Sequence, residues 1–187
     1  MPIRRAINAI LDEMQRTLEA ASPEGPERLT EAMLQSNRIY VAGGGRSGLM
    51  ARALAMRLMH LGLSTYVVGE TTTPAIQSGD LLVACSASGE TQVTVLVSQV
   101  AREAGARVFA ITATPDSPMA RQADETIIIP APSKRTGPQA HTEASAQYGG
   151  SLFEQCLLVL LDAVSADIGR RLGRGPKDLA SRHANLE

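Results

Sequence analysis

Residues 38–48, with the sequence Arg-Ile-Tyr-Val-Ala-Gly-Gly-Gly-Arg-Ser-Gly, join a short apolar run to the beginning of a helical pattern. The run at 38–42 has the character of a strand, and the apolar spacing at 47–62 is that of a helix. The glycines between them let another molecule approach the backbone, and the free N–H groups of a first helical turn attract anions. This stretch therefore predicts a strand, an anion-binding turn and a helix in direct succession.

The same alternation of strand-like and helix-like segments continues along the chain. Further strands are expected at 64–68, 80–84, 107–111 and 125–129, and further helices at 91–104, 117–122 and 150–172. The strands are continuous apolar runs such as Leu-Leu-Val-Ala-Cys, which is typical of parallel strands covered by helices on both faces. We therefore expect a doubly wound α/β fold, a three-layer αβα sandwich around a five-stranded parallel sheet.

The length of 187 residues favours a single domain with additions at both ends. Apolar residues at helical spacing predict N-terminal helices within residues 1–37. The α/β core should then span 38–172, followed by a C-terminal helical tail at 173–187. The segment 130–149 is rich in Pro, Ser, Thr, Gly and Gln, and we expect it to form a long loop that is mobile or acts as a lid. His141 lies in this loop and is assigned no role.

The composition excludes several classes of function. Basic side chains number 18 and acidic ones 19, which leaves no basic excess to neutralise the backbone of a nucleic acid. Charges at helical spacing interrupt the first helix, so we expect neither a signal peptide nor a membrane span and place the protein in the cytoplasm. Cys85 and Cys156 have neither a pairing motif nor the spacing of a metal site. We therefore expect no disulfide and no metal.

A second polar turn follows the strand expected at 80–84. It has the sequence Cys85-Ser-Ala-Ser-Gly-Glu-Thr91, and its three hydroxyl groups can donate hydrogen bonds to phosphate oxygens without adding charge. Ligands of open α/β sheets bind beyond the carboxyl ends of the strands, so we expect both turns at one site. The sequence thus predicts a phosphate-binding site, with the candidate ligands Gly45, Arg46, Ser47, Ser86, Ser88 and Thr91.

Other interpretations of these turns stay open at this point. Ser47 or Thr91 could simply cap its helix, as hydroxyl residues often do. Arg46 could bind phosphate through its forked guanidinium, or it could form an ion pair with Glu70 or Glu90. Three glycines of the first turn also satisfy the pattern G-x-G-x-x-G, with Glu70 placed where an acid could bind a ribose. That pattern would indicate a nucleotide-binding oxidoreductase, although it leaves the second hydroxyl-rich turn unexplained.

Five segments carry a resemblance to a known family: GGGRSGLMARALAMRLMHLG at 43–62, TYVVGETTTPAI at 65–76, GDLLVACSASGET at 79–91, GGSLFEQ at 149–155 and RHANLE at 182–187. Through them the chain resembles the sugar isomerase (SIS) domain family, whose paired serine-rich loops hold the phosphate of a phosphosugar. One departure is Ala87, at a position where relatives tend to have glycine. Alanine is tolerated there unless the backbone needs a positive φ.

Within that family the resemblance is to isomerases of hexulose phosphates. It implies conversion of D-arabino-3-hexulose 6-phosphate into D-fructose 6-phosphate, the second step of formaldehyde fixation by the ribulose monophosphate route. Moving the carbonyl from C3 to C2 takes a base that transfers a proton through a 2,3-enediol and a second group that serves the two oxygens. No metal or organic cofactor is required. The competing hypotheses are a different phosphosugar isomerase and a SIS domain that only senses a phosphosugar, although no helix-turn-helix pattern is present to carry a signal.

Glu154 is the candidate base. It lies in the helix expected at 150–172, whose apolar residues cover most of the circumference, so this helix should be largely buried. A carboxylate on a buried helix is partly removed from water, which suits a general base. A position one turn into a helix is also typical of a surface acid that the helix dipole favours. The resemblance, in which the glutamate of this helix is the base, favours catalysis.

His183 and His60 are the candidates for the second catalytic group. His60 follows Ser47 by thirteen residues on one predicted helix, a distance of about 20 Å. It could therefore act only across a subunit interface, or else it is a donor near its helix C-terminus. His183 lies in a tail that could fold over its own site or a neighbour's, or could be solvated. We expect His183 to be the acid or ring-opening group and His60 to contribute in trans.

The expected partners are a phosphosugar substrate and further copies of this chain, with neither nucleic acid nor membrane. The first helix is amphipathic and the helix at 150–172 is apolar, and together they offer more apolar face than one sandwich needs. We therefore expect a homotetramer arranged as a dimer of dimers.

Overall fold

The computed structural model describes residues 2–132, 145 and 147–185 of the chain. Two helices precede the sheet, namely α1 (Ile3–Glu19) and α2 (Gly25–Gln35). The core follows as β1 (Ile39–Gly43), α3 (Gly45–His60), β2 (Thr65–Val67), β3 (Leu81–Cys85), α4 (Gln92–Glu103), β4 (Arg107–Thr112), α5 (Pro118–Gln122), β5 (Glu125–Ile128) and α6 (Ser151–Arg171). The tail contains a short helix α7 (Pro176–Ser181). Most of the loop expected at 130–149, with His141, lies outside the described residues.

The five strands form one parallel sheet in the order β2-β1-β3-β4-β5. In its register Ile39 of β1 lies opposite Leu81 of β3, which in turn lies opposite Arg107 of β4. From β1 the chain turns to one side to form β2 and then crosses to the other side to form β3. The carboxyl ends of β1 and β3 therefore lie side by side at the reversal of strand order, where open α/β sheets bind ligands. The five-stranded parallel sheet predicted from the sequence is confirmed.

Helices cover both faces of the sheet. Successive residues of a strand point to opposite faces, so Val41 packs in the core under α2, α3 and α6, whereas Tyr40 packs with residues of α4 and α5. Leu157 of α6 is fully buried in the first core and Met119 of α5 in the second. The doubly wound, three-layer arrangement is therefore confirmed. The division into 1–37, 38–172 and 173–187 stays a prediction.

Two strand and helix boundaries differ from the expected ones in ways that affect the site. The helix expected at 47–62 begins at Gly45, so Arg46 belongs to its first turn. The strand expected at 80–84 begins one residue later, after Asp80. The buried carboxylate of Asp80 accepts two hydrogen bonds from Arg38, at 3.0 and 2.7 Å, and one from the Gln77 N–H at 2.9 Å. These bonds tie the beginnings of β1 and β3 to the segment before β3.

The apolar surface available to a second copy differs from the expectation. The helix at 150–172 was expected to have a spare apolar face, but α6 buries most of its large apolar side chains in its own core, with Val159 as an exposed exception among its described residues. By contrast, α1 exposes Ile3, Ile7 and Leu11 along one face. None of the helices in the described part of the chain is long and apolar enough to span a membrane.

Candidate active site

A cavity of about 240 Å³ opens at the carboxyl ends of β1 and β3. Its described lining comes from three places in the chain: the residue between β1 and α3 with the first turn of α3, the turn between β3 and α4, and the first turn of α6 with the residue before it. The lining residues are Gly44, Ser47, Ser86, Ala87, Ser88, Thr91, Gly150 and Glu154. The structure thus brings four of the candidate phosphate ligands and the candidate base to one cavity.

The turn after β1 is tight because two glycines allow its ends to touch. A Cβ atom on Gly48 would lie 2.5 Å from the carbonyl oxygen of Gly43, and one on Gly43 would lie 3.0 Å from the Gly48 nitrogen. Gly45 between them has φ of +55°, a conformation that L side chains rarely adopt. The glycine pattern therefore serves to seat the N-terminus of α3 directly on the end of β1.

The turn after β3 is held by its own hydroxyl groups. The Ser86 and Thr91 hydroxyls form a hydrogen bond at 3.0 Å, and Ser86 Oγ also accepts from the Gly89 N–H at 3.2 Å. Ser88 Oγ accepts from the Glu90 N–H at 3.2 Å. Ala87 has a negative φ, since none of the described residues other than glycine has a positive one. The backbone at this position therefore does not need glycine, which confirms the expectation that alanine is tolerated there.

Neither α3 nor α4 has a side-chain cap. The N-cap of α3 is Gly44, and the N-cap of α4 is Thr91, whose hydroxyl bonds to Ser86 instead of to the first turn of the helix. The alternative that the hydroxyl of Ser47 or Thr91 caps its helix is therefore wrong, although Thr91 occupies the N-cap position of α4. Two helix N-termini without caps meet at one cavity, and each presents N–H groups and the positive end of a helix dipole. This arrangement is suited to a phosphate group.

Glu154 lies in the first turn of α6, which begins after Gly150 in a left-handed conformation with φ of +99°. Its side chain is only 10% exposed, so the alternative of a surface acid favoured by the helix dipole is wrong. Arg46 donates a hydrogen bond from Nε to Glu154 Oε2 at 2.6 Å. A buried carboxylate that faces a polar cavity and is ion-paired can accept a proton from a bound ligand.

The ion pair gives Arg46 a partner that the sequence did not suggest. Glu70, one of the two partners considered, instead forms an ion pair with Arg52 of α3, and both of these side chains are half exposed. Glu154 was not considered as a partner because 108 residues separate it from Arg46, and only the packing of α3 on α6 brings the two first turns together.

Cys85 lies at the end of β3, just before the hydroxyl-rich turn, and is fully buried. Burial raises the pKa of its thiol to about 12. The thiol therefore stays protonated near neutral pH and is suited to packing instead of nucleophilic chemistry.

The two candidate histidines meet each other away from this cavity. His60 ends α3 and is 2% exposed, and its ring stacks on that of the exposed His183 with centroids 5.0 Å apart. Among the described residues, His60 Nδ1 has no hydrogen-bond partner. Burial lowers the pKa of His60, and the charges of His183 and Arg57 lower it further. Because α3 separates the pair from Ser47 by about 20 Å, His183 does not fold over the cavity of its own protomer.

Three residues that line the cavity were not among the ligands predicted from the sequence: Gly44, Ala87 and Gly150. Each contributes backbone or a methyl group instead of a reactive side chain. The only signal for Gly150 was the Gly-Gly-Ser sequence before α6, which marks a turn but not its position at the cavity.

The comparisons with known proteins agree with this geometry. The model of the SIS domain matches residues 32–148. A 3-hexulose-6-phosphate isomerase of Mycobacterium gastri is 45% identical over 185 residues, which are 99% of this chain and 92% of that protein. One of Bacillus subtilis (strain 168) is 38% identical over 178 residues, 95% of each chain. A crystal structure from Methanococcus jannaschii, for which the function of 3-hexulose-6-phosphate isomerase was inferred, has a TM-score of 0.81 at 31% identity and covers 97% of this chain and 98% of that one.

The match extends over nearly the whole of these relatives, and it includes the two turns and the α6 helix that form the cavity. It therefore excludes the alternative of a nucleotide-binding oxidoreductase that the glycine pattern had left open. The chain belongs to the SIS domain family and is an isomerase.

Proposed function

We propose that this isomerase interconverts D-arabino-3-hexulose 6-phosphate and D-fructose 6-phosphate. The observation that carries the proposal is the position of the buried carboxylate of Glu154 in the same cavity as two uncapped helix N-termini. The relatives named as 3-hexulose-6-phosphate isomerases, at up to 45% identity, support the choice of this substrate. The proposed place of the reaction is the ribulose monophosphate route of formaldehyde fixation.

The phosphate group is assigned to the two turns. In this proposal the first-turn N–H groups of α3 and α4, with Gly45 and the hydroxyls of Ser47, Ser88 and Thr91, bind the phosphate oxygens. Ser86 holds Thr91 in place, since their hydroxyls are 3.0 Å apart. These groups are neutral, so the dianion is bound by dipoles and hydrogen bonds. The arrangement fixes C6 of the sugar and leaves C2 and C3 free to reach Glu154.

Glu154 is the proposed base for both proton transfers. The carboxylate removes the proton from C2 of the 3-ketose, and the electron pair forms the C2–C3 double bond of the enediol while the carbonyl oxygen at C3 takes up a proton. The same carboxyl group then returns its proton to C3, and the hydroxyl at C2 loses its proton as the new carbonyl forms. One base suffices because C2 and C3 are adjacent and the transfers are consecutive.

The proton transfers between the two oxygens are assigned to His183, with a contribution from His60, in a neighbouring subunit. Within one protomer this pair lies about 20 Å from the cavity, so it can serve only another copy. Met56 and Met59 are exposed on α3 near His60 and add apolar surface beside the pair, which favours an interface there. The proposed assembly is a homotetramer, arranged as a dimer of dimers.

Proton exchange in deuterated water tests the proposed reaction. Wild-type protein with fructose 6-phosphate should exchange the C3 proton for deuterium and form the 3-ketose, as followed by NMR. Glu154→Gln should lose about 10²–10⁴-fold in exchange rate, which is the contribution of general-base catalysis, while it still binds the sugar phosphate. Glu154→Gln keeps the size of the side chain, and its thermal unfolding serves as the control for folding.

Two other outcomes would overturn the proposal. If the wild-type protein binds fructose 6-phosphate but exchanges no proton, the cavity is that of a phosphosugar sensor. If it exchanges the C2 proton of an aldose phosphate in preference, the protein is an isomerase of another phosphosugar.

A further inference from the structure

Arg46 contacts the proposed base from outside the cavity. Of the described residues, eight line the cavity, and these include Glu154 but not Arg46. The Arg46 side chain is 55% exposed, whereas that of Glu154 is 10% exposed. The sequence suggested a phosphate ligand because Arg46 lies in the first glycine turn. In the structure its Nε donates a hydrogen bond to Glu154 Oε2, 2.6 Å away.

The ion pair has two physical consequences for Glu154. A carboxylate that is nine-tenths buried without a counter-charge is costly, and the guanidinium offsets that cost. A charge-assisted hydrogen bond of 2.6 Å is also short and directional, so it restricts the rotation of the carboxyl group. Arg46 therefore offsets the cost of burying the charge and restricts the carboxylate to a single orientation.

The pair also links the two halves of the cavity. Arg46 lies in the first turn of α3, and Glu154 lies in the first turn of α6. The amides of that turn of α3 are proposed to bind the phosphate. The packing of α3 on α6 sets the distance between these two turns, and the hydrogen bond fixes the orientation of the carboxylate relative to the turn that is proposed to bind phosphate. A displacement of about 1 Å in such a geometry can cost about 100-fold in rate.

We propose that Arg46 is a positioning residue that acts through Glu154, and that it is not a ligand of the phosphate. The proposal rests on the assignment of Glu154 as the base. It assigns phosphate affinity to the neutral groups of the two turns and assigns to Arg46 the orientation of the carboxylate. Binding and catalysis should therefore respond differently to the loss of this arginine.

The test is a comparison of kcat, KM and phosphate affinity in three variants. Arg46→Met removes the charge and keeps much of the side-chain length, and it should lower kcat about 100-fold. Its KM for fructose 6-phosphate and its inhibition constant for inorganic phosphate should stay within about threefold of wild type. Arg46→Lys should recover part of kcat, because an ammonium supplies the charge without the planar, fixed N–H geometry.

Arg52→Met is the matched control, since Arg52 lies on the same helix, is also half exposed and pairs with Glu70 outside the cavity. It should leave kcat and KM unchanged. The double variant Glu154→Gln/Arg46→Met gives a second measurement. If Arg46 acts through Glu154, the double variant should exchange protons no more slowly than Glu154→Gln alone.

The outcomes separate this proposal from the proposed function. Suppose that the wild type turns over the substrate, and that Arg46→Met keeps its kcat but shows a large rise in KM and in the inhibition constant for phosphate. Arg46 would then be a phosphate ligand, and only the positioning role would be overturned. A wild type that binds the sugar phosphate without any proton exchange would overturn the proposed function, and the positioning role with it. If thermal unfolding shows that Arg46→Met is not folded, Arg46→Lys decides between the two roles. A lower kcat at unchanged KM supports positioning, and a higher KM at unchanged kcat supports phosphate binding.

Discussion

Gly48→Ala should weaken phosphosugar binding, because the new methyl group collides with the end of β1. Its Cβ would lie 2.5 Å from the Gly43 carbonyl oxygen, and real Cβ atoms essentially never approach another heavy atom closer than 3.0 Å. The N-terminus of α3 must therefore move away from β1 by about 0.5 Å, the difference between these two distances. The neighbour is backbone of a central strand paired with β3, so a side-chain rotation cannot relieve the contact.

The expected magnitudes follow from that displacement. Overpacking costs about 1–3 kcal/mol, and the better helix propensity of alanine offsets about 1 kcal/mol of it, so the free energy of unfolding should fall by about 1 kcal/mol. Ser47 and the first-turn amides of α3 move with the helix. The loss of one hydrogen bond to the charged phosphate, about 1.5 kcal/mol, should raise the dissociation constant for fructose 6-phosphate about tenfold.

Isothermal titration calorimetry with fructose 6-phosphate measures the affinity, and urea denaturation measures the stability. Gly175→Ala is the matched control, because Gly175 has an extended backbone with φ of −112° and its Cβ would meet nothing within 4 Å. This variant should bind and unfold as wild type does. Wild-type affinity and stability in Gly48→Ala would refute the argument that the glycine contact seats α3 at the phosphate site.

Two further predictions concern the histidine pair. Light scattering should give the mass of a tetramer. Mixing the inactive variants Glu154→Gln and His183→Asn under conditions of subunit exchange should restore part of the activity. A monomeric mass, or no restored activity, would contradict catalysis in trans. Burial lowers the pKa of His60, and the charges of His183 and Arg57 lower it further. At a pH below the ordinary histidine pKa of about 6.5, the unfolded chain therefore binds more protons than the folded one. The free energy of unfolding should therefore be fully maintained above that pH and should fall as the pH drops below it. His60→Phe, which stacks but does not titrate, should show a smaller fall in urea denaturation between pH 7.5 and 5.5, and an equal fall in both proteins would contradict the assignment.

Features that depend on neighbours along the chain could be predicted from the sequence. The apolar runs at β3 and β4 indicated buried parallel strands, because a strand covered on both faces needs apolar residues at every position. The glycines at 43–48 indicated a tight turn into a helix, because only residues without a Cβ allow that approach. Such local rules also placed the two polar turns at one end of the sheet.

Features that depend on long-range packing could not be predicted in this way. The partner of Arg46 lies 108 residues away, and the stacking of His183 on His60 depends on how the tail packs against the end of α3. For the same reason, α6 was expected to have a spare apolar face that the structure buries under α1, α2 and α3. Periodicity shows which faces are apolar but not which element covers them.

The sequence by itself determined the α/β class, the parallel sheet and the two phosphate-type turns, since each follows from residue spacing and backbone sterics. Only the tertiary structure decided that Glu154 is buried beside those turns, that Arg46 pairs with it, and that the histidines lie at the far end of α3. The physical reason is that spacing constrains a chain over one or two elements. Which distant side chains meet depends instead on the packing of α3, α6 and α7 as a whole.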